Sequence, residues 1–360
     1  MNLLAQYTNT NFDQLRLQQD TLADQAVEVL VSQPNLASEI NSWLVIPAKL
    51  PDYFPEELRL YFEFYLHKEK EFSGGEHRLA QEFFEQRGDM YLAMLGFYSL
   101  PYCYAFADGA QVLVRSQRIL DQIGERLGET TRFVLDIFKP GAFTSQDEAF
   151  LTCAKVRLIH AYSRFFIRKY AKDWSPDFGE PINQEDLLGT NLAFSHIVLR
   201  GMTKLGMSPS SKEHQAVLRY WKWIGDLMGI ERSLWPSTAK EAFELDRLIR
   251  KRHLKPSDAG KKLTKALLEF YQKNIPDSFL TSQLEPLLSY FLGKEASKAV
   301  GISGQTQVPG DILGLFLKFS GFRTFGAIKT HASLKKNLEL QQMQQFGRIL
   351  QLKLPEANRA

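Results

Sequence analysis

Apolar residues recur at three- and four-residue spacing along most of the chain, and alternating runs bounded by turn residues are scarce. This pattern predicts helices over roughly 21–32, 55–66, 76–99, 109–138, 146–172, 183–206, 211–229, 237–252, 257–274, 281–292 and 331–352. Breakers separate them: Pro101, Pro140-Gly141, Pro176 to Pro181, Pro209, Pro236, Pro256, Pro276 and Pro309-Gly310. Two starts carry capping signals, Asn183 ahead of Gln184-Glu185-Asp186 and Ser145 ahead of Gln146-Asp147-Glu148, each with acidic side chains near the positive helix end. The fold class expected is all-α. The division expected is an N-terminal helical wrap over 1–75, a helical core over 76–235 and a C-terminal helical extension over 236–360.

The segment from Ala149 to Arg168 carries the most information. On a helix, Arg157, His160 and Arg164 fall at i, i+3 and i+7 and share one face. Val156, Leu158, Ile159, Phe165, Phe166 and Ile167 make much of the remaining circumference apolar, so the helix is expected to be buried on most sides. Basic groups inside a core need anions or a metal to satisfy them. Two readings stand side by side. Either the arginines pair with carboxylates of neighbouring helices and His160 is a hydrogen-bonded core histidine, or His160 is an axial iron ligand and an arginine pairs with a bound acid such as a haem propionate.

Upstream, Arg126 and Thr130 share a helix face that continues into Val134 and Ile137, with Glu125 and Glu129 each one residue before. Downstream, a loop from Trp174 through Gly179 and Pro181 enters a helix at Asn183 that reaches Thr190, Phe194, Ser195 and His196. His196 could face the same pocket, although a histidine there is more often structural. The aromatic run Tyr220-Trp221-Lys222-Trp223 reads as core packing. The other histidines, His67, His77, His214, His253 and His331, are scattered without ligand spacing.

Charge and composition narrow the field. With 44 Lys and Arg against 41 Asp and Glu, the net charge of +3 supplies no field for holding nucleic acid. The basic cluster Arg247, Arg250, Lys251, Arg252, His253 and Lys255 reads as a solvated helix end. Two cysteines, Cys103 and Cys153, cannot build a disulfide framework or a multi-cysteine metal site. Aromatic residues at 12% suffice to line an apolar pocket as well as a core. No Gly-rich phosphate loop, dinucleotide fingerprint, His-Glu-x-x-His helix or Gly-x-Ser-x-Gly elbow is present.

The first residues lack a basic stretch followed by a long apolar run, so the expectation is a cytoplasmic protein. No stretch reaches about 18 uncharged apolar residues. Ile312 to Ile328, broken by Lys318 and Arg323, reads as a buried or interfacial segment and leaves peripheral membrane contact open.

Taken together and in order, three features resemble the rubber oxygenase and MpaB family. They are Arg126-x-x-x-Thr130, then Arg157-x-x-His160-x-x-x-Arg164, then Gly179-x-Pro181-x-Asn183-Gln184 continuing to Thr190, Phe194 and Ser195. The resemblance covers about 85 to 235. It implies an all-helical fold with a globin-like core around b-type haem, and an oxygenase that attacks carbon–carbon double bonds of isoprenoid chains with dioxygen. By position it makes His160 the proximal iron ligand. Arg126 and Thr130 become pocket residues across the haem, and Arg157 and Arg164 become groups that orient the haem or brace its surroundings. What the resemblance implies is a haem that performs the redox step while the protein orients it, and the abundant Phe and Tyr suit an apolar channel for an oily substrate.

Two departures qualify what the resemblance implies. Rubber-cleaving relatives carry a lysine just before the threonine, whereas here the position is Glu129, of opposite charge. They also use a glutamate as general base, and Ser99 to Tyr104 offers no carboxylate, which leaves Asp108, Glu125 or Glu129 for that role. The expected substrate is therefore a small hydrophobic unsaturated molecule and not a solid polymer. Two alternatives carry different signatures: a haem-binding sensor or carrier without oxygenase activity, and a haem-free helical interaction protein.

Overall fold

The computed structural model describes residues 2–115, 122–275, 277–302 and 330–355. Among them there is no strand, and the backbone bridge between Phe106 and Leu254 is isolated. The N-terminal helices are α1 (Asn9–Leu15), α2 (Thr21–Ser32), α3 (Pro34–Ser42) and α4 (Glu56–Glu71). The central ones are α5 (Gly74–Met94), α6 (Leu100–Tyr104), α7 (Ala107–Arg115), α8 (Ile123–Phe138), α9 (Glu148–Tyr170), α10 (Gln184–Leu192), α11 (Val198–Lys204) and α12 (Ser211–Leu227). Then follow α13 (Ala239–His253), α14 (Asp258–Asn274), α15 (Ser278–Ser282), α16 (Leu284–Ala299) and α17 (His331–Phe346).

Helix α2 shows why the pattern folds this way. Asp20 caps it by accepting from the Ala23 amide, and Ala23, Ala26, Val27 and Leu30 fall on one buried face. The small residues of that face let α2 lie close along α9, which is buried on most sides as its apolar circumference requires. Aromatic rings fill the interior between α5, α8 and α12. Phe84 stacks on Phe138 at 4.6 Å, and Tyr91, Tyr220 and Trp221 surround them. Burying each such ring contributes about 2–3 kcal/mol.

Several elements differ from their expected extents, each for a local reason. Pro34 does not break structure but starts α3, where its missing amide donor costs nothing. The helix expected over 109–138 is interrupted at Gln122, whose backbone is non-helical ahead of α8, with 116–121 outside the described residues. Ahead of α9 the capping side chain is Asp147, which accepts from the Ala149 amide, and not Ser145. The helix expected over 331–352 ends at Phe346, because Gly347 takes the left-handed conformation that closes it.

The expected helices over 76–99 and 183–206 each pass through a wide π turn, at Leu95–Ser99 and Ala193–Ile197. Such turns leave carbonyls without their usual amide partner. Here the Ser99 hydroxyl donates to the Ala193 carbonyl at 2.7 Å, and the Tyr91 hydroxyl donates to that of Phe194. Two irregular turns are thereby locked together at the wall of the cavity described next.

No helix among the described residues is long and apolar enough to cross a membrane. Ile312 to Ile328 lies outside the described residues.

Candidate active site

A cavity of about 320 Å³ opens between α7, α8, α9 and α10, within the size range of small-molecule and cofactor sites. Its apolar wall includes Leu100, Val112, Phe133, Val156, Ile159, Leu192, Phe194 and Trp221. Four of the residues singled out from sequence meet there: Arg126, Glu129 and Thr130 from α8, and His160 from α9. Thr190 and Phe194 of the downstream motif join them.

His160 is the chemically unusual member. Its Nδ1 is buried and has no hydrogen-bond partner among the described residues. Burial, reinforced by the charges of Arg164 and Arg126, pushes the imidazole down to about 3. The ring is therefore neutral at physiological pH, which is the form that can donate a lone pair.

On α8 the Arg126 guanidinium donates to Glu129 Oε2 at 2.9 Å, one helical turn along. Thr130 donates its hydroxyl back to the Arg126 carbonyl at 2.8 Å, which fixes its rotamer. Of the three carboxylates available as a base, Glu129 lines the cavity. Glu125 instead pairs with Arg348 at 2.8 Å, and Asp108 with His253 at 3.0 Å and Lys255 at 3.0 Å.

Arg157 and Arg164 turn away from the cavity toward α2. Arg157 grips Asp20 with Nε and Nη2 at 2.6 and 2.7 Å, and lies 4.8 Å from the centre of the Phe64 ring. Arg164 donates from Nε to Asp24 at 2.6 Å. Neither lines the cavity; both fasten α9 to the start of α2. His196 does not reach the cavity either. It faces His214 at 3.3 Å, and burial pushes it down to about 4.

The cavity also has a charged end that the sequence pattern did not reveal. Glu185, Asp186, Asp246 and His253 all border it. His253 bridges Asp108 and Glu185, at 3.0 and 2.9 Å, and Arg252 holds Glu185 at 2.7 Å and Asp13 at 2.8 Å. The basic cluster at the end of α13 is thus no freely solvated helix end: Arg252 and His253 are turned inward onto carboxylates. Burial would lower the His253 pKa, but its hydrogen bonds to Asp108 and Glu185 outweigh this and hold it above its ordinary value. Only a pairing across 145 residues makes this site, so no local signal could have found it.

Comparison with known proteins agrees with this architecture. The fold is similar to that of latex clearing protein in its closed state, with a TM-score of 0.69 at 20% identity, over 90% of this chain and 91% of that one. The rubber oxygenase of Streptomyces sp. (strain K30) is 26% identical over 185 residues, which are 50% of this chain and 45% of that relative. The matched stretch thus spans less than half the length of that relative. The class is that of the all-helical proteins that share this fold. The chain belongs to the family described as ER-bound oxygenase mpaB/B'/rubber oxygenase, catalytic domain, whose model matches residues 92–318.

Proposed function

We propose that this chain is a haem b-dependent oxygenase that uses dioxygen on carbon–carbon double bonds of a small, hydrophobic, isoprenoid-like substrate. The observation that carries the reading is His160: a neutral imidazole whose buried Nδ1 has no hydrogen-bond partner among the described residues, bordering an apolar cavity. Among the described residues no three His, Cys, Asp or Glu side chains come together as metal ligands. A single imidazole suits a metal whose other ligands come from a macrocycle. The rubber oxygenase likeness supports the substrate class, and the cavity of about 320 Å³ supports a small molecule.

In this reading His160 would hold the haem iron, and α9 keeps the imidazole in place through the Arg157–Asp20 and Arg164–Asp24 pairs. Haem, when bound, supplies iron able to bind and activate dioxygen. The apolar wall from Val112 to Trp221 excludes water and orients an alkene chain. Glu129 is the general base, taking a substrate proton on its carboxylate, and the Arg126 guanidinium donates to that carboxylate and holds it aimed.

The test is a haem titration of purified protein followed in the Soret region. His160→Ala should abolish or sharply weaken the band, and full haem retention would overturn the ligand assignment. Glu129→Gln should keep the band while lowering alkene-dependent oxygen uptake by about 100-fold or more. Undiminished uptake would remove Glu129 from its role.

A further inference from the structure

Beyond Gly347 the chain becomes an extended strap in which Leu350, Leu352 and Leu354 turn inward while Gln351, Lys353 and Pro355 stay exposed. The strap is fastened at both ends. Arg348 pairs with Glu125 on α8 at 2.8 Å, and the Leu350 amide donates to the Gln342 side chain at 3.0 Å. At the far end, Asn41 of α3 both accepts from the Leu354 amide and donates to its carbonyl, at 2.8 and 3.1 Å.

Between these fastenings the strap crosses the site. Leu350 is buried against Gly128, where an added Cβ would stand 2.7 Å from its Cδ1. Gly128 separates Leu127 from Glu129, so the contact lies at the turn of α8 that carries Arg126, Glu129 and Thr130. Leu352, next in the inward series, forms part of the cavity wall itself. Every other wall residue belongs to the helices and loops between 100 and 253. Leu352 alone among the described lining residues comes from the last stretch of chain, on backbone that no helical neighbours hold.

We infer that Leu352 sets the length of hydrocarbon chain the cavity accepts, with the fastened C-terminal strap holding it in the cavity wall. The inference rests on the proposed function for the substrate class, and its geometry stands on the strap contacts. An apolar side chain that closes the end of a pocket limits a linear ligand by steric contact, and each methylene admitted beyond it adds binding energy.

Binding alone tests this, without oxygen chemistry. Full-length protein is loaded with the neutral fluorophore N-phenylnaphthylamine, which geraniol, farnesol and geranylgeraniol then displace, each one isoprene unit longer than the last. Leu352→Ala should improve the affinity for geranylgeraniol relative to geraniol by about tenfold or more, since three carbon atoms leave the wall. Leu352→Trp should shift the preference the other way, toward geraniol. Lys353→Ala, exposed on the same strap, should leave the order unchanged. An unchanged order in Leu352→Ala with a wild-type thermal transition would overturn the inference, as would failure of all three alcohols to displace the probe from wild type. The Soret band of the same preparations reads the haem assignment separately, so either can fail without the other.

Discussion

Arg157 and Asp20 form a two-pronged ion pair that joins the middle of α9 to the cap of α2, with Nε–Oδ2 at 2.6 Å and Nη2–Oδ1 at 2.7 Å. Both side chains are almost wholly buried, at 5% and 4% exposed. The same Asp20 caps α2 through the Ala23 amide, so one carboxylate fixes a helix start and its neighbour's rotation. Arg157 stands three residues before His160. Any rotation of α9 that relaxed this pair would move the imidazole with it.

Removal of the acid should therefore be costly. Asp20→Ala leaves the Arg157 guanidinium buried without its carboxylate, with the Leu227 carbonyl at 3.4 Å and the Phe64 ring beside it, and the expected loss is about 3–5 kcal/mol. Urea denaturation measures it. A loss no larger than that of an exposed ion pair would show that the pair adds little to the hold on α9.

Gly229 gives a second handle on the same pair. It has φ +75°, and a Cβ there would stand 2.5 Å from Asp20 Oδ2 and 2.8 Å from Arg157 Nε. Gly229→Ala should destabilise by about 2 kcal/mol or more, from backbone strain together with displacement of the pair. In an Asp20→Ala background the cost should shrink, because half of the obstructed contact is gone. A double-mutant cycle reads this coupling, and strict additivity would contradict it.

How much of this was legible follows from the range of each signal. Helix α2 was readable to its ends because its apolar spacing is regular and Asp20 and Gln33 bracket it. Arg126, Thr130 and His160 share a cavity because the pattern on two helices already put each on an inward face. Asp20 and Asp24 could not be named as the partners of Arg157 and Arg164, since they lie 137 and 140 positions away in the chain. The π turns escaped because one extra residue per turn hardly disturbs a helical period. The strap escaped because the helix was carried past Gly347, although Leu350, Leu352 and Leu354 alternate with polar neighbours, a two-residue period that no helix would show.

Acid should unfold the protein through its neutral histidines. His160, held down to about 3, and His196, to about 4, stay neutral in the fold but take up protons in the unfolded chain below about pH 6.5. Their contribution is complete above that pH and declines as pH falls toward their folded values. Each costs about 1.4 kcal/mol per pH unit within that window. Urea midpoints between about pH 7 and pH 5 should fall accordingly, and His160→Gln should flatten the slope by about one proton. An unaltered slope would mean that His160 is not the neutral buried ring described.

His253 should behave with the opposite sign. Its two carboxylate partners, Asp108 and Glu185, are themselves buried, and they hold the imidazole above its ordinary value against the effect of burial. The stability this adds is fully present below the unfolded value of about 6.5 and disappears as pH rises through the folded one. His253→Gln should therefore cost about 2 kcal/mol near pH 6 and distinctly less near pH 9. Because Glu185 and His253 both border the cavity, the same substitution should alter displacement of a bound fluorophore near pH 6 and have little effect near pH 9. Equal costs at the two pH values would show that the ring does not change its charge between them, against the raised value its carboxylate partners impose.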